Sequence, residues 1–356
     1  MTRIKRFGGR LAAAMCVLTF AAVLPSQASL AAGATQSVDQ QHAFDFHFGT
    51  WRTHILNRVS ATKWVKMTGT VIDQPLWGGK ANLEKIEASG AGGHFQGVTL
   101  FLYSPKPGQW SQTFASSSDG IMQESAYGEF KNGRGVFYAQ SGGSGDKAVF
   151  ERETWSNMTP QSYHFEIANS ADGGKTWVTE FIAQLTRLKQ KPDYDTAYTP
   201  GSGPEHDYDF NIGRWKTRIR AVENPISAPG VWTNLQGEHV VYRVWGDWAN
   251  IGQLEVDGAG GHEEFMALRT YDRKTQQWRV YFANSSSGTL DQPMVGSFKD
   301  GVGTFVFLDE MEGKTVLVRN VWSGITPTSC HQDWALSADG GKTWVPTFIS
   351  TDTRAN

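Results

Sequence analysis

The octapeptide SADGGKTW stands twice in this chain, at Ser170–Trp177 and at Ser337–Trp344, 167 residues apart. Longer stretches return at nearly the same offset. FDFHFGTWRT at Phe44–Thr53 comes back as YDFNIGRWKT at Tyr208–Thr217, and LWGGKANLEKIEASGAGGH at Leu76–His94 as VWGDWANIGQLEVDGAGGH at Val244–His262. FASSSDG at Phe114–Gly120 pairs with FANSSSG at Phe282–Gly288. The offset stays between 164 and 168, so the chain is one unit written twice with few, short insertions. Each unit of about 150 residues has the size of a single domain. Between them LKQKPDYDTAYTPGSGPE, Leu188–Glu205, carries Pro, Gly and Tyr without periodicity and reads as a linker. The units therefore span residues 38–188 and 205–356, with 189–204 joining them.

Within a unit, short runs of β-branched and aromatic residues alternate with Gly, Asp, Asn and Pro. Trp51–Val59, Trp64–Gln74, Asn82–Ala88, Phe95–Tyr103 and Met122–Phe130 are examples. About ten such strands with tight turns and no helical periodicity predict an antiparallel meander. A closed barrel removes the exposed edges that such a meander would otherwise leave. The fold class expected is all-β, two tandem barrels of about ten strands each.

The repeated octapeptide fits S-x-D-x-G-x-T-W, which resembles the Asp-box hairpin of sialidase-like propellers. A propeller needs one box per blade of roughly 40–50 residues, and two boxes 167 apart do not supply that. The stretch is instead expected to be a hairpin lock. Asp172-Gly173 and Asp339-Gly340 would supply left-handed turn residues, with the Asp accepting backbone N–H bonds and Ser and Trp fastening the flanks.

The first 31 residues read as a signal peptide rather than as part of the fold. Arg3, Lys5, Arg6 and Arg10 precede an apolar run from Leu11 to Leu24, and small residues after Pro25 offer cleavage sites. Losing that segment takes four positive charges, moving the formal net charge from −2 to −6. A mildly acidic surface argues against nucleic acid as partner. No later run reaches the length of a membrane span, so the mature chain is expected in the periplasm or secreted. Cys16 leaves with the signal, and Cys330 alone cannot form an internal disulfide.

Gly49-Thr50-Trp51 and Gly213-Arg214-Trp215 place G-x-W at the entry to each first strand, and the last strands finish with Thr186-Arg187 and Thr353-Arg354. This pairing resembles the calycin superfamily, the lipocalins and fatty-acid-binding proteins. The resemblance implies that Trp51 packs beneath Arg187, and Trp215 beneath Arg354, at a closed barrel end. The whole unit also looks like DUF1579-like bacterial exported proteins, which open with DF…G.W and close with SxDGGxTW. That group implies a barrel and carries no settled activity.

Small barrels are filled by side chains or hold one ligand. Alternation puts Asn82, Glu84, Ile86 and Ala88 on one face, and Asn250, Gly252, Leu254 and Val256 in the second copy, a face expected to be internal. The other face carries Leu83 and Ile251 and is not clearly polar. Arg152 and Arg319 share a strand with Trp155 and Trp322 but not a face, and the Trp is expected inside. Tyr103 and Tyr271 are further candidates for packing or stacking a ligand. His164 with Glu166, and His331 with Asp333, each fall on one face of a strand. Facing inward, such a pair could do general acid/base work; facing outward it is a charge pair worth under about 1 kcal/mol. The outward reading is preferred. No HxH, HExxH, CxxC, G-x-S-x-G or phosphate-loop pattern occurs, so neither metal nor cofactor is expected. The expected role is binding a small apolar or aromatic molecule in a barrel. The alternatives are a lyase or isomerase using a His–carboxylate pair, and a structural or envelope module.

Overall fold

The computed structural model describes residues 39–142, 148–191, 201–246, 248–258 and 260–355. The signal-peptide reading, Cys16 and most of the linker (192–200) lie outside the described residues.

In the first copy the strands are β1 (Gly49–Ser60), β2 (Lys63–Leu76), β3 (Ala81–Gly90), β4 (Gly93–Ser104), β5 (Gln109–Ser116), β6 (Ala126–Lys131), β7 (Arg134–Gly142), β8 (Val149–Ser156), β9 (Ser162–Ser170) and β10 (Val178–Lys189). The second copy repeats them as β11 (Gly213–Val222), β12 (Trp232–Trp245), β13 (Ala249–Gly258), β14 (Gly261–Asp272), β15 (Gln277–Asn284), β16 (Met294–Lys299), β17 (Val302–Met311), β18 (Lys314–Ser323), β19 (Ser329–Ser337) and β20 (Val345–Arg354). Each strand pairs antiparallel with its neighbours in sequence. The first strand of each copy meets the last, β1 on β10 and β11 on β20, so both sheets close. The chain is two closed ten-stranded antiparallel barrels. One expected strand is shorter than its sequence suggests. Within Met122–Phe130 the strand begins only at Ala126, and the Met122 N–H donates instead to the Tyr281 hydroxyl of the other barrel at 3.1 Å.

One end of each barrel is closed by two short 3-10 turns, Gln40–His42 with Asp45–His47, and Pro204–His206 with Asp209–Asn211. They drive Phe44 and Tyr208 into the barrels, where Phe44 meets Phe101 and Trp155 with ring centroids 4.8 and 5.3 Å apart. Arg187 lies 3.9 Å over the Trp51 ring and donates to the carbonyls of Phe46 and Phe48. Arg354 repeats this 4.1 Å over Trp215, donating to Phe210 and Ile212. The G of G-x-W has a steric reason. Gly49 sits at φ +131°, and a β-carbon there would stand 2.6 Å from the Arg187 guanidinium.

The Asp boxes are hairpin locks between β9 and β10 and between β19 and β20. The Asp172 carboxylate accepts from the Lys175 and Thr176 amides and the Thr176 hydroxyl, and Ser170 Oγ accepts from Gly174 N–H. Asp339 and Ser337 make the same set. One detail differs from expectation: the left-handed residues are the two glycines, Gly173 and Gly174 at φ 73° and 85°, not the Asp. Outside the barrel Arg152 covers Trp177 at 4.6 Å and Arg319 covers Trp344 at 4.3 Å.

The two barrels pack against each other through the outer faces of β3–β5 and β13–β15. Leu83, Leu100 and Leu102 form one apolar cluster with Ile251, Met266 and Leu268. This explains the face opposite Asn82 and Asn250 that looked neither inside nor polar: it is the joint. The contact is pseudo-symmetric. Gly120, at the end of FASSSDG, leaves no room for a β-carbon against the Tyr271 carbonyl, and Gly288, at the end of FANSSSG, none against that of Tyr103. Lys80 pairs with Glu264 across the joint at 2.9 Å, and Trp245 Nε1 donates to Gly97 O at 3.0 Å.

Candidate functional site

The second barrel is hollow. A cavity of about 930 Å³ runs along its axis. Its walls come from inward positions of successive strands, among them Ile219, Leu254, Phe265, Phe282, Trp334 and Phe348. At the depth of the plug, Tyr208 and Trp322 face Arg269, a guanidinium only 2% exposed. Its Cζ lies 4.8 Å from the Tyr208 ring centre and 5.6 Å from that of Trp322. Arg269 donates to Asn250 Oδ1 at 3.0 Å, while its Nε has no hydrogen-bond partner.

The groups around Arg269 respond to it and to burial. Burial, then the guanidinium, pushes His239 down to about 3, so that imidazole is neutral across the physiological range. Asp352 accepts from the Cys330 thiol at 3.7 Å. Its pKa is raised because burial outweighs its hydrogen bonds and the attraction of Arg269, which therefore does not hold it as a tight ion pair. Nearer the mouth, burial and the neighbouring Asp309 push Asp291 up to about 7. Gly252 makes room for His239 here, since a β-carbon at that position would sit 2.6 Å from His239 Nε2.

The first barrel fills the corresponding depth differently. There Glu84 stands where the second copy has Gly252, and Phe101 where it has Arg269. His47, fully buried, stands 3.4 Å from Asp73 Oδ2 and 3.2 Å from Glu84 Oε2. Asn82 donates to both Asp73 oxygens at 3.0 and 2.9 Å, and Thr99 donates to Glu84 at 2.8 Å. Burial lowers the His47 pKa but the two carboxylates outweigh it, so the net shift is upward. Burial lifts Asp73 to about 6.

These placements sort the residues that the sequence singled out. Trp322 lines the cavity and Trp155 packs inside the first barrel, donating to Gln112 Oε1 at 3.1 Å. Asn82 and Asn250 are both buried, and each serves a neighbouring charged side chain, Asp73 or Arg269. Tyr103 and Tyr271 do not reach the cavity. Their rings lie tilted against Trp110 and Trp278 at the plug end, ring centres 5.5 and 5.4 Å apart, with their backbones in the joint. His164 and Glu166 face outward, since Tyr163 and Phe165 take the inward positions of β9; they border a shallow outer groove with Arg134. His331 and Asp333, 3.3 Å apart, likewise sit outside, because Cys330, Gln332 and Trp334 point into the second barrel. Neither His–carboxylate pair can act on anything held in a barrel. Among the charged and titratable groups that face inward, His47, Asp73, His239, Arg269 and Asp352 were not singled out from sequence. Their signal was available: they are inward positions at which the two copies differ.

No family model and no curated protein matches the chain. The DUF1579-like resemblance thus rests on the motifs quoted for it. Solved structures similar to the chain include a DUF3598-family protein of unknown function from Nostoc punctiforme, at 10% identity over 89% of this chain and 99% of that one, TM-score 0.29. Kievitone hydratase from Nectria haematococca is similar at 11% identity over 90% and 95%, TM-score 0.16. A transferrin-binding protein B mutant from Haemophilus parasuis is similar at 7% over 86% and 76%, TM-score 0.19. Scores this low transfer no property of those proteins to this chain.

Proposed function

We propose that the second barrel binds a small, largely apolar or aromatic molecule bearing one anionic group, its apolar body along the cavity and its anion against Arg269. The observation that carries this is a buried guanidinium, with one N–H unpartnered, at the floor of a 930 Å³ cavity with mostly apolar walls. That volume suits a drug-sized ligand. A bound carboxylate would give Arg269 the charge-assisted hydrogen bonds it lacks, worth about 1.5–3 kcal/mol. Neutral His239 beside it adds no competing charge.

The test is displacement of a naphthalene sulfonate dye from the full chain by alkyl and aryl carboxylates, and by their methyl esters. The acids should displace at concentrations about 10–150-fold lower than the esters. Equal potency of acid and ester removes the anionic part of the reading, and no displacement by either removes the cavity's role. Native mass spectrometry of protein from its own host would then give the mass of the resident molecule.

The working place of the protein is proposed from the N-terminal segment: export to the periplasm or beyond. Cell fractionation with N-terminal sequencing tests it, a mature start near Ser29 or Ala32 being expected. No helix among the described residues is long and apolar enough to cross a membrane.

A further inference from the structure

The first barrel's interior has the opposite electrical character, and the binding proposed for the second barrel makes no use of it. Register sets Glu84 opposite Thr99 on one side, and Glu151 and Glu153 opposite Ala139 and Phe137 on the other, all facing the axis. Facing the axis, these three carboxylates are nevertheless only partly covered, and so are the inward rings of Phe114, Phe165 and Phe181. These partly covered inward side chains line a well in the upper part of the barrel, with acidic and aromatic walls. Below them the well is sealed by His47 and Asp73. Two buried polar groups point into this barrel without partners, the Tyr163 hydroxyl and Gln112 Nε2, on residues 0% and 2% exposed. Among the described residues no three His, Cys, Asp or Glu side chains converge as ligands for a metal ion. Glu153 shares a hydrogen bond with Glu151 and lies within electrostatic reach of Glu84, and the inward rings beside this acidic group suit a larger, softer cation.

We propose that the first barrel is a second binding site, taking a small organic cation: an amine or quaternary ammonium on an apolar body. The carboxylates supply the countercharge and the rings supply faces on which a desolvated ammonium is held. The site also predicts a proton exchange. Burial and the neighbouring Glu151 and Glu84 carboxylates hold Glu153 well above the usual range, so the empty barrel binds this proton more tightly than an ordinary carboxyl does. The other titratable and charged groups facing it are His47, Asp73 and Tyr163 below, with Arg187 at the plug. A cation entering the well favours the ionised carboxylate, and the proton leaves to solvent as the cation binds.

Titration calorimetry of the full chain with benzyltrimethylammonium, in two buffers of different ionisation enthalpy, tests this. Binding is expected with proton release. Glu153→Gln should abolish the release and weaken binding about tenfold or more. Glu84 also braces His47, so Glu151→Gln serves as the second variant, and outward-facing Glu166→Gln as the control that binds like the parent. No heat with millimolar benzyltrimethylammonium overturns the proposal. So does affinity unchanged in both Glu153→Gln and Glu151→Gln while melting confirms that they fold. Either result leaves the carboxylate–ester comparison in the second barrel untouched.

Discussion

Arg269→Met removes the guanidinium from the second barrel while keeping an unbranched side chain of similar reach. The energetics can be worked from its surroundings. Taking the cation out of water costs several kcal/mol. It recovers one hydrogen bond to Asn250 at 3.0 Å and two ring contacts, each worth about 1–3 kcal/mol. Replacing buried ionic groups with apolar ones is often neutral or stabilising by about 1–4 kcal/mol. Against that, Asn250 Oδ1 loses its partner, at about 1 kcal/mol or more. The net expectation lies between no change and a gain of about 3 kcal/mol, which at about 2–4 °C per kcal/mol raises Tm by up to roughly 10 °C. The first copy is a precedent, because Phe101 occupies this position there and is sealed. The same variant should lose carboxylate affinity about 10–150-fold, its dye displacement converging on that of the esters. Scanning calorimetry and the dye assay together read both signs. A Tm several degrees lower with unchanged carboxylate affinity would make Arg269 a strut of the fold and refute its assignment as the anion site.

The acid side of the stability profile should depend on His239. Its folded pKa is about 3 against an ordinary 6.5, so below about pH 6.5 the unfolded chain takes up a proton that the folded one refuses, and stability falls until about pH 3. His239→Gln should narrow the gap between stabilities at pH 7.0 and pH 4.5 by roughly 2–3 kcal/mol, and an unchanged gap in thermal melts would contradict this. Gly288→Ala should cost about 2–5 kcal/mol in urea unfolding, since φ is +59° and the new carbon would stand 1.8 Å from Tyr103 O. Gly142→Ala, where nothing lies within 4 Å, is the control, and equal midpoints would mean the joint is not closely packed. Arg187→Met should cost about 3 kcal/mol or more, as three carbonyls, of Phe46, Phe48 and Pro160, lose their donor. A change under about 1 kcal/mol in denaturant unfolding would show that the plug does not depend on it.

The barrels were legible because their signals are local. Strand alternation, turn glycines and the ends of each unit fix ten strands and their closure without any tertiary information. The orientation of β9 was also readable: Tyr163, Phe165 and Ile167 form an apolar series, which sends His164 and Glu166 outside. In β19 the inward series is Cys330, Gln332 and Trp334, polar and apolar mixed, and alternation alone could not place His331. Asp73 was within reach as well, because it lies two positions from Pro75, which pairs with inward Asn82. Arg269 was within reach only through the comparison of copies and its pairing with inward Asn250, because a cation among apolar strand neighbours on β14 by itself looks like a surface residue. The placement of Tyr103 and Tyr271 beside Trp110 and Trp278, with their backbones in the joint, was not legible either: the joint between barrels turns part of the outer surface into core, and periodicity within one strand does not register a second barrel.

What the copies share and what they do not follow different physical rules. The plug arginines, the Asp boxes and the two glycines of the joint each satisfy backbone groups or fill a space that backbone defines, so both copies must keep them. Side chains around the barrel axis mainly touch one another, and they can change as a set without disturbing the sheet. Glu84 beside His47 in one copy, and Gly252 beside His239 in the other, are alternative fillings of one frame. The joint also ties the two fillings together. Ser286 and Ser287 line the mouth of the second cavity, and the Ser287 carbonyl accepts a hydrogen bond from Ser104 of the first barrel. A loop that would otherwise be a free rim is thereby held by the neighbouring barrel. The repeated FANSSSG thus belongs to the scaffold, and it positions the entrance to a site whose charged groups, Arg269, His239 and Asp352, are residues the first copy does not share.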